Sequence, residues 1–186
     1  MEAKRYGTMV SSFLRLEVSA NGQEKLLPQG TSYYDGYALR SIRPNAVSLV
    51  YDLPLGDLPT SAREAVMLQA REMARRMKSK VAIRTGYNGV CYSVEGSPLA
   101  GVRGEEIHLS PAPYSVEREA IIEAARAAGF HIKEHEILRS ELKTYDEMFW
   151  MDYRGITSLA HVDGHPLLTF TTERIAKQLE RPFQKK

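Results

Sequence analysis

The segment from Ser115 to Gly129 leaves this chain the least freedom. Ser115 is a good N-cap, because its hydroxyl can accept an amide proton that the first turn of a helix leaves unsatisfied. Ile121, Ala124, Ala125 and Ala128 then recur at helical spacing, and Gly129 stands where a left-handed C-cap belongs. The pattern predicts a helix ending at Ala128 with one buried stripe. Short strands are predicted on either side of it, at 107–109 and 131–137, so the chain reads as α/β, of the mixed α+β kind.

The rest of the sequence is organised in the same way. Leu14, Leu16 and Val18 alternate with Arg15 and Glu17 across 9–18, and Asn21-Gly22 follows as a hairpin turn. Tyr33-Tyr34-Asp35-Gly36 reads as a second turn, with strands at 37–42 and 46–51 around Pro44, which makes the first third antiparallel. Pro54, Gly56 and Pro59 mark a connection. Ser61-Ala62-Arg63-Glu64 then has the Ser-x-x-Glu form of a capping box and opens a helix with Val66, Ala70, Met73 and Met77 as its apolar stripe. Strands are expected at 80–84, at 90–94 after a Tyr87-Asn88-Gly89 turn, and at 147–151 and 156–162. A short helix is expected at 140–145, a turn at Asp163-Gly164 and a last helix at 172–179.

Composition bounds the function. Twenty-five Lys and Arg against 23 Asp and Glu leave a net charge of +2, with the signs mixed along the chain, so no nucleic-acid partner is expected. The longest basic cluster, Arg75, Arg76, Lys78 and Lys80, falls where a helix ends and where cations suit the helix dipole. The lone Cys91 excludes an internal disulfide framework and reads as core. No run approaches the roughly 18 apolar residues of a membrane span, and no basic start leads into an apolar leader. The expectation is a cytoplasmic protein without a membrane partner.

Gly89-Val90, leading through Gly96-Ser97-Pro98-Leu99 to Ser110-Pro111, resembles the strand, loop and strand that carry the pyridine-side contact in the fold-type IV (class IV) pyridoxal-phosphate aminotransferases and aminodeoxychorismate lyases. Arg118, the run from Ala120 to Ala125, and Gly129-Phe130 are similar to that family's Arg-led helix. Glu141-Leu142, Asp146-Glu147-Met148-Phe149 and Arg154-Gly155-Ile156 resemble its later landmarks, in the same order and at similar separations. The likeness runs from about Leu58 to Leu179. It implies an abbreviated antiparallel first domain over 1–57 and a larger mixed-sheet second domain over 58–186. It also implies a homodimer, because related proteins build their pockets at a subunit interface.

The family's chemistry needs a lysine amine for the Schiff base, and the resemblance lays that position on Pro59, which has no nucleophile. Lys78 and Lys80 sit at the far end of the same helix, on the order of 25 Å away by helix rise. The glutamate that holds the pyridinium nitrogen falls near Tyr92 and Ser93, with Glu95 two residues further on and able to reach the pocket through a bulge. The phosphate-side hydroxyl before Arg118 is replaced by Glu117, although Ser115 keeps one nearby; Asp152 and Tyr153 occupy the second phosphate-side turn. Arg40 and Arg43 lie near the entering connection, where a guanidinium can hold an anion.

The candidate cofactor contacts are therefore Glu95, Ser115, Arg118 and Arg40, and no catalytic residue is assigned. The expectation is a divergent homologue with a degenerate site, no bound cofactor and no transaminase activity, taking a small anion or a protein as partner. The alternative is an active pyridoxal-phosphate aminodeoxychorismate lyase or branched-chain-type aminotransferase using a lysine from elsewhere. No metal is expected: His131 with His135 would lie about 13 Å apart on a strand, and His161 with His165 lack a third ligand. No Gly-x-Ser-x-Gly elbow or phosphate-binding glycine loop is present.

Overall fold

The computed structural model describes residues 2–5, 8–34, 39–55, 60–111, 115–152 and 154–184. The expected turn residues Asp35 and Gly36, Tyr37, the stretch from Gly56 to Pro59, Pro113 and Tyr153 lie outside the described residues.

Strands β1 (Glu2–Arg5), β2 (Thr8–Val18) and β3 (Glu24–Tyr34) form a small antiparallel sheet in that order. Gly22 takes φ 80° in the β2–β3 turn, the left-handed conformation that an Asn-Gly turn supplies without strain. The larger sheet is mixed. It contains β4 (Asn45–Val50), β5 (Val81–Thr85), β6 (Val90–Val94), β7 (Ser97–Arg103), β8 (Glu106–Leu109), β9 (His131–Glu134) and β10 (Ile137–Leu138). It continues with β11 (Glu147–Asp152), β12 (Gly155–Ser158), β13 (His161–Val162) and β14 (His165–Pro166). The order along it is β12-β11-β7-β6-β5-β4-β13-β14, with β10 added on β6 and β8–β9 on β7. Its parallel pairs are β4 with β5, β4 with β13, and β8 with β9.

Helices α1 (Ala62–Arg76), α2 (Val116–Ala127) and α3 (Phe170–Gln184) cover the sheet, and a 3₁₀ helix spans Arg139–Thr144. Strand alternation sorts the core into three clusters. Ile83, Val94, Leu99, Met148, Trp150 and Leu159 share one, which also holds Ile137 and Tyr145. Ala70 and Ala74 of α1 pack on Val47, Leu49 and Ala82 on the opposite face of β4 and β5. Ile121, Ala124 and Ala125 of α2 join Ile107, Phe149 and Ile175 in the third. Each buried aliphatic side chain contributes about 1.5–3 kcal/mol, so these stripes fix which face of every element points inward.

Several expectations are corrected. The strand at 46–51 is found as β4, but it is parallel to β5 and β13 in the large sheet instead of joining an antiparallel first third. Ala46, Val47, Ser48 and Leu49 are all buried, and a strand covered on both faces belongs inside a sheet, where parallel pairing is at home. The strand at 37–42 is reduced, among the described residues, to a single bridge from Leu39 to Ile156. The capping box at Ser61 does not form. Ser61 already has helical angles (φ −63°, ψ −24°), so its hydroxyl does not face the helix amides. The α1 stripe is also rotated: Ala70 and Ala74 are buried, while Met73 and Met77 are exposed, because small residues let the helix approach the sheet. The strand expected at 131–137 is broken into β9 and β10, and that at 156–162 into β12 and β13. The short helix is 3₁₀, and the last helix begins two residues before Thr172 and extends beyond Leu179 to Gln184. Ser115 caps α2 as expected, accepting from the Arg118 amide at 3.1 Å, and Gly129 takes φ 87°.

Candidate functional site

The face of the sheet under α1 is mostly apolar, and one arginine interrupts it. Arg84 sits in the middle of the Val-Ala-Ile-Arg-Thr strand, opposite Leu49 on β4 and Ser93 on β6, and is 9% exposed. Its guanidinium carbon lies 4.5 Å from the centre of the Tyr92 ring, a cation–π contact. The Tyr92 hydroxyl accepts from Asn88 Nδ2 at 3.1 Å. Gly86 is needed beside this pair, since a Cβ there would stand 2.9 Å from the Tyr92 ring.

Tyr51 follows β4, its amide bonded to the Thr85 carbonyl at 3.3 Å. Burial pushes its phenol up to about 12; the charges of Arg84 and Arg63 pull it down and that of Glu95 pushes it up. Two cations and a carboxylate thus act on one half-buried phenol. Glu95 and Gly96 are the two central residues of the β6–β7 hairpin, at φ 51° and 82°. The turn aims Glu95 at α1, where its carboxylate accepts from Arg71 Nε at 2.8 Å. A Cβ on Gly96 would stand 2.5 Å from an Arg63 Nη, so glycine lets that guanidinium lie over the turn. The Thr60 hydroxyl, just before α1, is buried without a hydrogen-bond partner. The cluster is cationic, edged by phenols, and can hold an anion through charge-assisted hydrogen bonds.

The four residues singled out in the sequence have different partners. Glu95 belongs to this cluster, placed there by the β6–β7 hairpin, and the register of β6 on β5 shifts by one residue at Tyr92, between the Arg84–Ser93 and Thr85–Cys91 pairs. Ser115 and Arg118 share the start of α2. There the Ser115 hydroxyl serves as the cap, while Arg118, 4% exposed, donates to the Ser110 carbonyl at 3.0 Å and to Glu134 at 2.5 Å. Arg40 is half-buried against β12, its amide bonded to the Ile156 carbonyl at 2.9 Å. Arg43 donates to the carbonyls of Leu159, Leu167 and Leu168 and serves as a brace. Asp152 pairs with Arg154 across the β11–β12 turn. Cys91 is buried in the core, where burial lifts its thiol to about 11.

Arg84, Tyr51 and Arg63 are not among the candidate site residues that the sequence marks, and Tyr92 is marked only as a position near which the family's pyridinium-side glutamate falls. A signal was available for Arg84, a lone charge within an otherwise apolar strand. None marked Tyr51, which depends on a parallel pairing across more than thirty residues. A second buried polar group carries no mark in the sequence. His108, 3% exposed, bonds through Nδ1 to the Tyr145 hydroxyl at 3.0 Å and through Nε2 to Glu106 at 3.2 Å. His135 packs on its ring at 4.8 Å, and Gly101 makes room for Tyr145, since a Cβ there would stand 2.6 Å from the ring. Among the described residues, no group of three or more His, Cys, Asp or Glu is placed to hold a metal. Among them too, no helix is long and apolar enough to cross a membrane.

This arrangement of a small antiparallel sheet, a larger mixed sheet and three helices is similar to a branched-chain aminotransferase from Thermoproteus uzoniensis solved with norvaline (TM-score 0.70, 19% identity, 94% of this chain and 64% of that one). It is similar to a hypothetical aminotransferase from Mycobacterium tuberculosis bound to α-ketoglutarate and PMP (TM-score 0.73, 14% identity, 92% and 67%). It is also similar to a Legionella pneumophila protein assigned as a 4-amino-4-deoxychorismate lyase (TM-score 0.72, 11% identity, 94% and 69%). The chain has the fold of the fold-type IV enzymes. At these identities the likeness is one of fold, and the chain spans less than two thirds of the Thermoproteus enzyme. No protein-family model and no curated protein sequence matches it. Some of the sequence landmarks of the resemblance lie in this sheet, Asp146-Glu147-Met148-Phe149 entering β11 and Gly155-Ile156 opening β12, while Arg118 lies in α2 and Glu141-Leu142 in the 3₁₀ helix.

Proposed function

We propose that this chain is a fold-type IV protein that does not carry out transaminase chemistry and holds a small anion against the Arg84 cluster. One observation carries the reading: the sequence has no lysine between Lys25 and Lys78, and none between Lys80 and Lys133. Those stretches supply α1, β4, β5, β6 and the Glu95-Gly96 turn, the elements around Arg84. Pyridoxal phosphate, when bound in such a fold, acts as an electron sink through an imine to a lysine amine. Lys78 and Lys80 stand past the C-terminal end of α1, a helix about 22 Å long by its rise, whereas the cluster lies toward its start.

The other contacts expected for the cofactor are occupied by the protein itself. The Glu95 carboxylate is neutralised by Arg71, the Ser115 hydroxyl caps a helix, and Arg118 is spent on Ser110 and Glu134. The residues present do not fit the cofactor. What they favour is an anion that needs no covalent bond, set against Arg63 and Arg84 and oriented by Tyr51 and Tyr92.

A spectrophotometric titration tests this. Adding pyridoxal phosphate to the purified protein is expected to produce no aldimine band, and borohydride to fix no pyridoxyl group on any peptide. A yellow, reducible species would overturn the reading in favour of an active lyase or branched-chain-type aminotransferase. Inorganic phosphate is expected to raise the melting temperature, and Arg63→Gln to remove most of the rise. The same reading includes a homodimer in the cytoplasm. The exposed Leu16, Val18 and Leu26 on the small sheet, each more than half accessible, support self-association, and light scattering would reject it by returning a monomer mass.

A further inference from the structure

A cavity of about 390 Å³ opens at the end of α1 remote from Arg84, between that helix, β4, the β13–β14 turn and the 3₁₀ helix. Such a volume lies in the lower part of the roughly 300–1,000 Å³ range of small-molecule sites. Arg139 and Lys143 supply its positive charge, Ser79 a hydroxyl, Val47 and Met77 an apolar wall, and Asp163 a carboxylate. Among the described residues neither Arg139 nor Lys143 enters an ion pair. Both stand on a fixed support, because the Arg139 amide is bonded to the Gly89 carbonyl at 2.8 Å and Leu142 between them is 2% exposed.

The Asp163 carboxylate is already engaged, accepting from the Ser48 amide at 2.8 Å and the Ser48 hydroxyl at 2.5 Å. The last carbonyls of α1 are engaged too. Those of Met73, Ala74 and Arg75 accept from Met77, Lys78 and Ser79, so the negative helix end is blunted where an anion would approach. Met77 and Ser79 line the cavity, and Lys78 and Lys80 alternate with them in sequence. The basic cluster that reads in the sequence as a plain helix end thus adjoins, through Met77 and Ser79, a cavity lined by two further cations, Arg139 and Lys143.

We propose that this cavity is a second ligand site, separate from the Arg84 cluster, for a small dianion carrying an apolar part, a phosphate monoester or a dicarboxylate. The Arg139 guanidinium offers two parallel N–H donors to two oxygens of such a group, Lys143 a point charge, and Ser79 a further donor. The apolar part lies against Met77 and Val47. A bare phosphate has nothing to place on that wall and binds more weakly.

Calorimetric titration of the full chain with phenyl phosphate, phthalate and inorganic phosphate tests this on the wild type and four variants. Arg139→Gln and Lys143→Gln each weaken at least one of the two organic dianions by about tenfold or more, as loss of a charge-assisted contact requires. Lys177→Gln, on α3, leaves it unchanged, and Arg63→Gln removes the binding step of the Arg84 cluster while sparing the organic-dianion step that Arg139→Gln weakens. All four positions are charged residues whose removal leaves the core intact, and matching melting temperatures confirm folding. No saturable binding of either organic dianion would overturn the proposal. So would equal weakening by Lys177→Gln, which signals diffuse charge, or a loss that follows Arg63→Gln in place of Arg139→Gln.

Discussion

Arg118 shows how one side chain can look like a ligand contact and serve as a structural tie. Its guanidinium is buried and donates to a backbone carbonyl at one end and to an exposed carboxylate at the other. Arg118→Ala leaves the Ser110 carbonyl without its donor in the interior and is expected to cost about 2–4 kcal/mol. Glu134 is 71% exposed at its side chain and its loss leaves the guanidinium bonded to Ser110, so Glu134→Ala is expected to cost less, about 1–2 kcal/mol. Urea unfolding of the two variants measures the difference, and equal costs would refute the structural role. Arg84 was as legible as Arg118, being a charge inside an apolar strand. The family landmarks drew attention to the helix-leading arginine instead, and nothing local in the sequence ties Arg84 to Tyr51.

At the scale of elements, the two serines that precede helices part company. Both are followed by good helix formers, and Ser61 even has glutamate three residues on, yet only Ser115 adopts the extended backbone that lets a hydroxyl reach the first amides. Ser115→Ala is expected to lose about 1 kcal/mol of stability, and Ser61→Ala to stay within about 0.5 kcal/mol. Chemical denaturation of both checks the pair, and a larger loss at Ser61 would show that its cap forms after all. Helices and strands with strong periodicity were readable because each is decided locally. The placement of β4 was not, since its partners lie at Val81 and His161, far along the chain. The break of 131–137 into two strands was equally hidden, because β9 pairs with β8 and β10 with β6.

For the molecule as a whole, two buried acids and one half-buried one share one direction of pH dependence. Tyr51 and Tyr145 are each raised to about 12 and Cys91 to about 11, in each case chiefly by burial. Each holds its proton more tightly folded than unfolded. Their contribution is therefore complete below the unfolded values near 9 and 10 and is lost as pH rises through about 11 to 12. Thermal melts are expected to be flat from these groups near neutrality and to fall steeply in strong alkali. Tyr145→Phe is expected to soften that fall, and an unchanged alkaline slope in this variant would contradict the assignment.

The seam between β4 and β13 joins Asn45 and Ala46 to His161 and Val162. On a ribosome the first of these is made long before the second, so β4 waits with one edge bare until His161 and Val162 have been delivered. A product released short of Val162 keeps that edge open, and strand edges of this kind are where unfinished chains stick to one another. Deletions from the C-terminus that reach this residue are accordingly expected to yield insoluble protein, well before they touch any residue near Arg84.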